Sequence, residues 1–261
     1  MALDTDTLSQ FLDALDRFVK ERLIPYEDRV ADEDVIPPML VDEIRTMGLF
    51  GMSIPEDFGG LGLSMIEEVQ AAFVLGQASP AFRSLVGTNN GIGSQGIIID
   101  GTDEQKAKYL PALASGDMIA SFALTEPDAG SDAGGLRTTA RRDGNDFLLN
   151  GTKRYITNAP RADLFTVFAR TSPEVKGSAG VSAFLVEAGT PGITLGQPDR
   201  KMGQKGSHTC DVILDNVRVP ASNIIGGPDR LNKGFKTAMK VLDRGRLHIS
   251  AVCVGAAERL I

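Results

Sequence analysis

Basic charge, cysteine, histidine and long apolar runs are all scarce in this chain, and each scarcity removes a class of function. Its 261 residues carry 27 Lys and Arg against 34 Asp and Glu, a formal net charge of −7. That balance excludes a general nucleic-acid binder, which needs a dense basic face. An anionic ligand has to be met by local cations, not by the overall field. The two cysteines, Cys210 and Cys253, form no CxxC pair and no disulfide framework, so a reducing compartment is the default. The two histidines, His208 and His248, have neither metal-ligand spacing nor an ordered nucleophile partner, and read as surface or helix-face residues. No apolar run is long enough to cross a bilayer. The N-terminus MALDTDTLSQ is acidic and lacks the basic region of a secretory or mitochondrial targeting peptide. The expected address is cytoplasmic, with no membrane insertion. What remains is ordinary globular composition, 42% hydrophobic and 23% charged, in a length able to bury one full core or two smaller ones.

The pattern changes twice along the chain. Leu8, Phe11, Leu12, Leu15, Phe18 and Val19 recur at helical spacing, with Pro25 expected to close the segment. A second helix is expected from Pro38, with Leu40, Ile44 and Met47 on one face and Gly48 as its stop. Ile54–Leu63 reads as a loop; Ser64 with Glu67 makes a capping box for a third helix. Further helix is expected over Ala81–Gln95 and from Thr102, interrupted at Pro111 and ended at Gly116. From Met118 short strands take over: Ile119–Leu124, Phe147–Leu149, Leu164–Ala169, Val181–Val186 and Val212–Leu214, with Asp143-Gly144 and Asn150-Gly151 as hairpin turns. From Asn232 an apolar stripe of Phe235, Met239, Leu242, Ile249, Cys253, Ala256 and Leu260 marks a helix of roughly 30 residues, still running at Ile261. Arg246 falls in the middle of that stripe. Such a helix needs neighbours to cover it, which predicts further helices on a longer chain or on another polypeptide. The expected fold is therefore α+β and multidomain: a helical unit over 1–117, an antiparallel β unit, barrel- or sandwich-like, over 118–228, and the first helix of a bundle over 229–261.

Two segments carry the chemistry. Ser121–Gly135 (SFALTEPDAGSDAGG) is a short apolar run breaking into a loop of small hydroxyls and glycines, which suits a polar ring edge or a phosphate. Lys153–Asn158 (KRYITN) ends a strand on Thr157. Two strand ends bearing Thr, side by side, make a cradle for a flat heterocycle with an anionic tail.

With IPEDFGGLG, the Lys201–Pro220 segment and GFKTAMKVLDRGR in the same order, these motifs resemble the acyl-CoA dehydrogenase family over essentially all 261 residues. The resemblance implies FAD as cofactor, held by Phe122, Ala123, Leu124, Thr125, Gly130, Ser131, Tyr155, Ile156 and Thr157. It puts Thr125 at the pyrimidine edge, Ser131 near the pyrophosphate and Thr157 near flavin N5. Tyr155 stands where many relatives have Trp. Acyl-CoA is the implied substrate, contacted by Ser131, Ser178, Asp243, Arg244, Gly245 and Arg246; an electron-transfer flavoprotein is the implied acceptor, and a homo-oligomer, dimer or tetramer, the implied assembly. The implied reaction removes an α proton by a carboxylate and a β hydride by the flavin. No catalytic residue is identified in this chain: the family's Glu lies beyond Ile261, and its alternative position is Gly245. The alternative readings are an acyl-CoA oxidase or flavin monooxygenase of the same fold, or a catalytically incomplete subunit or fragment that binds flavin or a partner helix bundle.

Overall fold

The computed structural model describes residues 3–261; the first two residues of the expected helical unit and of the acidic N-terminus lie outside it. Helix α1 (Thr5–Phe18) starts at Asp4, whose carboxylate accepts the Asp6 and Thr7 N–H groups. Pro25 does not close this segment. Winding continues through a π turn (Val19–Leu23) and a 3-10 turn (Ile24–Tyr26) into α2 (Glu27–Glu33). Pro25 sits in the first turn of the 3-10 piece, where its missing N–H costs nothing. Asp34, left-handed at φ 52°, ends the run.

Helix α3 (Pro38–Thr46) buries Leu40 and Ile44 and stops before Gly48, at φ 71°. The Ser64–Glu67 box opens α4 (Met65–Gly76), with both reciprocal bonds formed. The expected helix over 81–95 is three pieces: α5 (Pro80–Thr88), a π turn (Asn89–Gly93) and α6 (Gln95–Asp100). Helix α7 (Asp103–Ser115), capped by Thr102 and Gln105, runs unbroken through Pro111. Burial of Tyr109, Leu110 and Leu113 on its inner face outweighs the one backbone bond that Pro111 removes.

The sheet holds β1 (Ala120–Ala123), β2 (Thr139–Asp143), β3 (Asp146–Thr157), β4 (Leu164–Arg170), β5 (Val181–Glu187), β6 (Ile193–Leu195) and β7 (Thr209–Pro220), in the order β1-β4-β2-β3-β7-β6 with β5 also on β4. It is mixed, not purely antiparallel: β1 and β2 run parallel to β4. The β2–β3 hairpin lies between β1 and β4 in sequence and supplies the long connection that a parallel pair requires. Asp143 pairs with Asp146 across a two-residue turn at Gly144, as its sequence predicts. Asn150-Gly151 is no turn. It lies inside β3 at a register shift against β7, and a Cβ on Gly151 would fall 2.4 Å from Thr138 Oγ1. Glycine there permits close approach of β2's lead-in, not reversal of the chain.

The last helix, α8 (Gly234–Leu260), has 27 residues, but its buried face is not the large apolar stripe. Ile249 is 49% exposed and Leu260 87%. Small residues set the packing instead. A Cβ on Gly255 would lie 2.0 Å from the Phe73 carbonyl oxygen, and one on Gly76 would lie 2.5 Å from that of Val252. Helices α4 and α8 therefore touch backbone to backbone, and only glycine fits the contact. Phe235, Met239 and Leu242 are left, partly buried, facing the sheet.

Candidate active site

A cavity of about 830 Å³ opens between the loop after β1, the end of β3 and α8, within the range of small-molecule pockets. It gathers Phe122, Leu124, Thr125, Gly130, Ser131, Tyr155, Ile156, Thr157, Ser178 and Arg246 from the sequence expectations. Ala123 is not among them. Side chains alternate along a strand, so Phe122 and Leu124 face the cavity while Ala123 enters the opposite core beside Val167 and Phe165. Asp243, Arg244 and Gly245 do not line it either. Asp243 is exposed and pairs with Arg246, Arg244 turns towards Glu68 on α4, and Gly245 borders a neighbouring cavity of about 570 Å³. Arg246 is not the buried cation its stripe position suggested: its side chain is 66% exposed.

The loop after β1 is held by a buried ion pair. Glu126 and Ala129 exchange backbone bonds of 3.1 and 3.2 Å across a tight turn. The Glu126 carboxylate accepts the Arg137 N–H at 2.6 Å, the Thr138 N–H at 2.9 Å and Lys153 Nζ at 2.7 Å. Lys153 also donates to the Leu124 carbonyl at 3.2 Å and is wholly buried. Burial pushes the Lys153 ammonium down to about 8, against the pull of Glu126. For Glu126, burial favours the neutral acid, but the Lys153 charge and the three donors outweigh it and hold its pKa below the ordinary value. This pair fastens the loop to β2 and β3.

Strand β3 slips register against β7 between Lys153 and Ile156. In that bulge Tyr155 takes a left-handed φ of 58°, and the residue is 58% exposed at the cavity wall with the Arg154 guanidinium 4.9 Å from its ring centroid. A bulge re-aims one side chain without ending the strand, and strain of this kind concentrates at functional sites. Thr157 follows; its carbonyl accepts Ser121 Oγ at 2.7 Å, which ties the two signature segments together. Asn158, at φ 63°, donates to the Leu85 carbonyl at 3.0 Å and anchors the strand end on α5.

Residues not anticipated complete the site. Arg170, the last residue of β4, donates to the carbonyls of Gly134 (2.9 Å), Leu136 (3.1 Å), Val175 (3.1 Å) and Gly177 (2.9 Å). Gly134 and Gly177 both line the cavity, so one guanidinium positions its two loops. Thr88, Ile92, Phe235, Met239 and Leu242 form further wall. The apolar spacing along α8 was the one available signal for the last three.

Elsewhere, His248 is no surface residue. It is 1% exposed, with Nε2 2.7 Å from the buried Glu68 carboxylate that Arg244 also engages. An anion below α8 satisfies both groups where the sequence pattern showed only a helix face. Lys201 is half-buried and donates to the Ser207 carbonyl, and burial lowers its pKa. Arg154 pairs with Asp211 at 3.1 Å. Among the described residues, no group of three or more His, Cys, Asp or Glu could hold a metal ion, and no helix is long and apolar enough to cross a membrane.

Residues 5–117 match the family model for the N-terminal domain of acyl-CoA dehydrogenase, and residues 121–217 the model for its middle domain. An acyl-CoA dehydrogenase of Bacillus subtilis (strain 168) is 40% identical over 241 residues, 92% of this chain and 62% of that protein. The structure of butyryl-CoA dehydrogenase from Megasphaera elsdenii superposes with a TM-score of 0.91 at 34% identity, covering 99% of this chain and 68% of that one. An acyl-CoA dehydrogenase from Bacillus anthracis complexed with FAD superposes with a TM-score of 0.86 at 35% identity, covering 98% of this chain and 42% of its own. The chain spans about three fifths of the length of the Bacillus subtilis relative.

Proposed function

Because this chain belongs to the acyl-CoA dehydrogenase family, we propose that its cavity binds FAD and that the full-length protein dehydrogenates an acyl-CoA thioester to the trans-2-enoyl-CoA. The observation that carries the reading is the convergence of Phe122–Ser131 and Tyr155–Thr157 on one cavity roofed by α8. The residues present fit such a cofactor. Cβ atoms on Gly130 and Gly177, which both line the cavity, would meet nothing within 4 Å, so the two loops leave open space for an anionic tail. Apolar walls from Phe122, Leu124 and Ile156 suit a flat ring.

In this reading Thr125 donates to or accepts from the ring's polar edge, Ser131 lies near the pyrophosphate and the acyl-CoA, and Tyr155 walls one ring face. Thr157 stands by the reacting nitrogen, and Ser178 reaches the nucleotide end of the thioester. The chemistry that bound FAD supplies is acceptance of a hydride from the substrate's β carbon. The protein's part is alignment, exclusion of water and polarisation of the thioester carbonyl, without which an α C–H is too weak an acid. The proton acceptor is not Glu126, whose carboxylate is occupied by Lys153 and two backbone N–H groups. Asp132, at the cavity rim, stays open to water and lacks the desolvation a base needs. Gly245 has no side chain. We assign the role to a glutamate outside these 261 residues, as the resemblance implies.

An electron-transfer flavoprotein as acceptor, a dimer or tetramer, a cytoplasmic address and a three-unit division at 1–117, 118–228 and 229–261 belong to the same proposal. FAD titration of the purified full-length protein tests it. Stoichiometric flavin binding is expected, with loss of binding but retention of far-UV circular dichroism in Gly130→Trp, which puts a bulky group into open cavity space. A colourless protein that takes up no FAD contradicts the proposal.

A further inference from the structure

The neighbouring cavity holds a cation that no carboxylate balances among the described residues. Arg83, on α5, lines this cavity of about 570 Å³. Its Nε is buried without a hydrogen-bond partner. Burial alone lowers the guanidinium's pKa, with no acidic group offsetting it. Arg246 also lines the cavity, its charge met by Asp243, and no Asp or Glu lines it among the described residues. In an acidic chain, such a lining favours an anion. A half-buried guanidinium whose Nε has no partner is costly to keep unless a ligand supplies the missing acceptor and charge.

The backbone makes room for that arrangement. A Cβ on Gly87, one turn after Arg83, would fall 2.6 Å from Arg83 Nε, so glycine is what lets the guanidinium lie along its own helix. The cavity is continuous with the flavin cradle through Thr88, Ile92, Thr157, Leu242 and Arg246, which border both. An acyl chain with its reacting carbons at Thr157 would reach Arg83 past Ile92 and Leu242, which border both cavities.

We infer that Arg83 receives a carboxylate at the far end of the acyl group, so that the preferred substrates are half-thioesters of dicarboxylic acids and not acyl-CoAs ending in a methyl group. This rests on the dehydrogenase reading above. A planar guanidinium accepts a carboxylate through two parallel bonds, which gives direction as well as charge.

The test compares succinyl-, glutaryl-, adipyl- and pimelyl-CoA with butyryl-, pentanoyl-, hexanoyl- and heptanoyl-CoA on the FAD-loaded full-length protein. For at least one length, kcat/KM is expected to be about tenfold or more higher with the carboxylate-ended thioester. Arg83→Met should lower that value about a hundredfold, mainly through KM, while improving use of the methyl-ended partner. Arg83→Lys should retain part of the preference, and bound flavin content reports whether each variant is folded. If Arg83→Met does not fold, the wild-type preference and its weakening in Arg83→Lys carry the test. Activity on the methyl-ended series alone overturns this inference and leaves the dehydrogenase reading standing. Silence towards both series overturns the reading, and the inference with it.

Discussion

Lys153 Nζ lies 2.7 Å from the Glu126 carboxylate, and neither group reaches water to any useful extent. The pair joins the loop that begins the cavity to the strand that ends it. Removing one partner leaves the other charge buried and alone, which costs about 3–5 kcal/mol. Glu126→Gln should therefore lower unfolding free energy in urea by about that amount, and adding Lys153→Met should restore most of it. A single variant as stable as the parent would contradict the latch.

The same pair sets a pH dependence. Glu126 has a folded pKa below its unfolded value, so its stabilisation is full above the ordinary carboxylate range and is lost as pH falls through the folded value. Lys153 acts at the other end. Between about 8 and the ordinary 10.5, the native form holds fewer protons than the unfolded one, so this group's contribution rises with pH. Urea midpoints of the parent and of the Glu126→Gln/Lys153→Met double variant, compared across pH, should diverge in both windows; parallel profiles would contradict the assignment.

Helices α4 and α8 are joined by Glu68 to His248 and Arg244, and by the close contact at Gly255. Glu68→Ala strands two basic groups against one another and should destabilise by about 3–5 kcal/mol. Gly255→Ala forces the helices apart and should cost about 1–3 kcal/mol. Thermal unfolding followed by circular dichroism measures both; an unchanged midpoint in Gly255→Ala would show that the helices are not in backbone contact.

Arg170 makes its contribution through loop position. Arg170→Lys replaces a fork that reaches four carbonyls with a point charge, and should weaken FAD binding about tenfold. Flavin fluorescence titration reads the shift, while urea unfolding of the apo form should change far less. Equal FAD affinity in the two proteins would contradict the positioning role.

Much of this was legible in the sequence, for physical reasons that differ by element. The capping boxes at Ser64 and Thr102 and the stop at Gly48 are local chemistry, and they fold as written. The cavity's main segments are contiguous, so short motifs reveal them. The buried face of α8 is not legible in its sequence, because the periodicity of large apolar residues misses a contact so close that only glycine fits. The slip that points Tyr155 outwards depends on β7, more than fifty residues away. Strand β2, nearly all exposed and polar, gave no hydrophobic alternation to find. Arg170 and Arg83 act through loops and cavities that exist only after folding.

The central claim is that this cavity holds a flavin that oxidises an acyl-CoA. Anaerobic addition of acyl-CoA to the FAD-loaded full-length protein, followed by visible absorbance and product analysis, tests it most directly. The account predicts loss of the flavin's visible band together with one enoyl-CoA formed for each flavin reduced. A flavin that stays oxidised across both the carboxylate-ended and methyl-ended thioester series would contradict it.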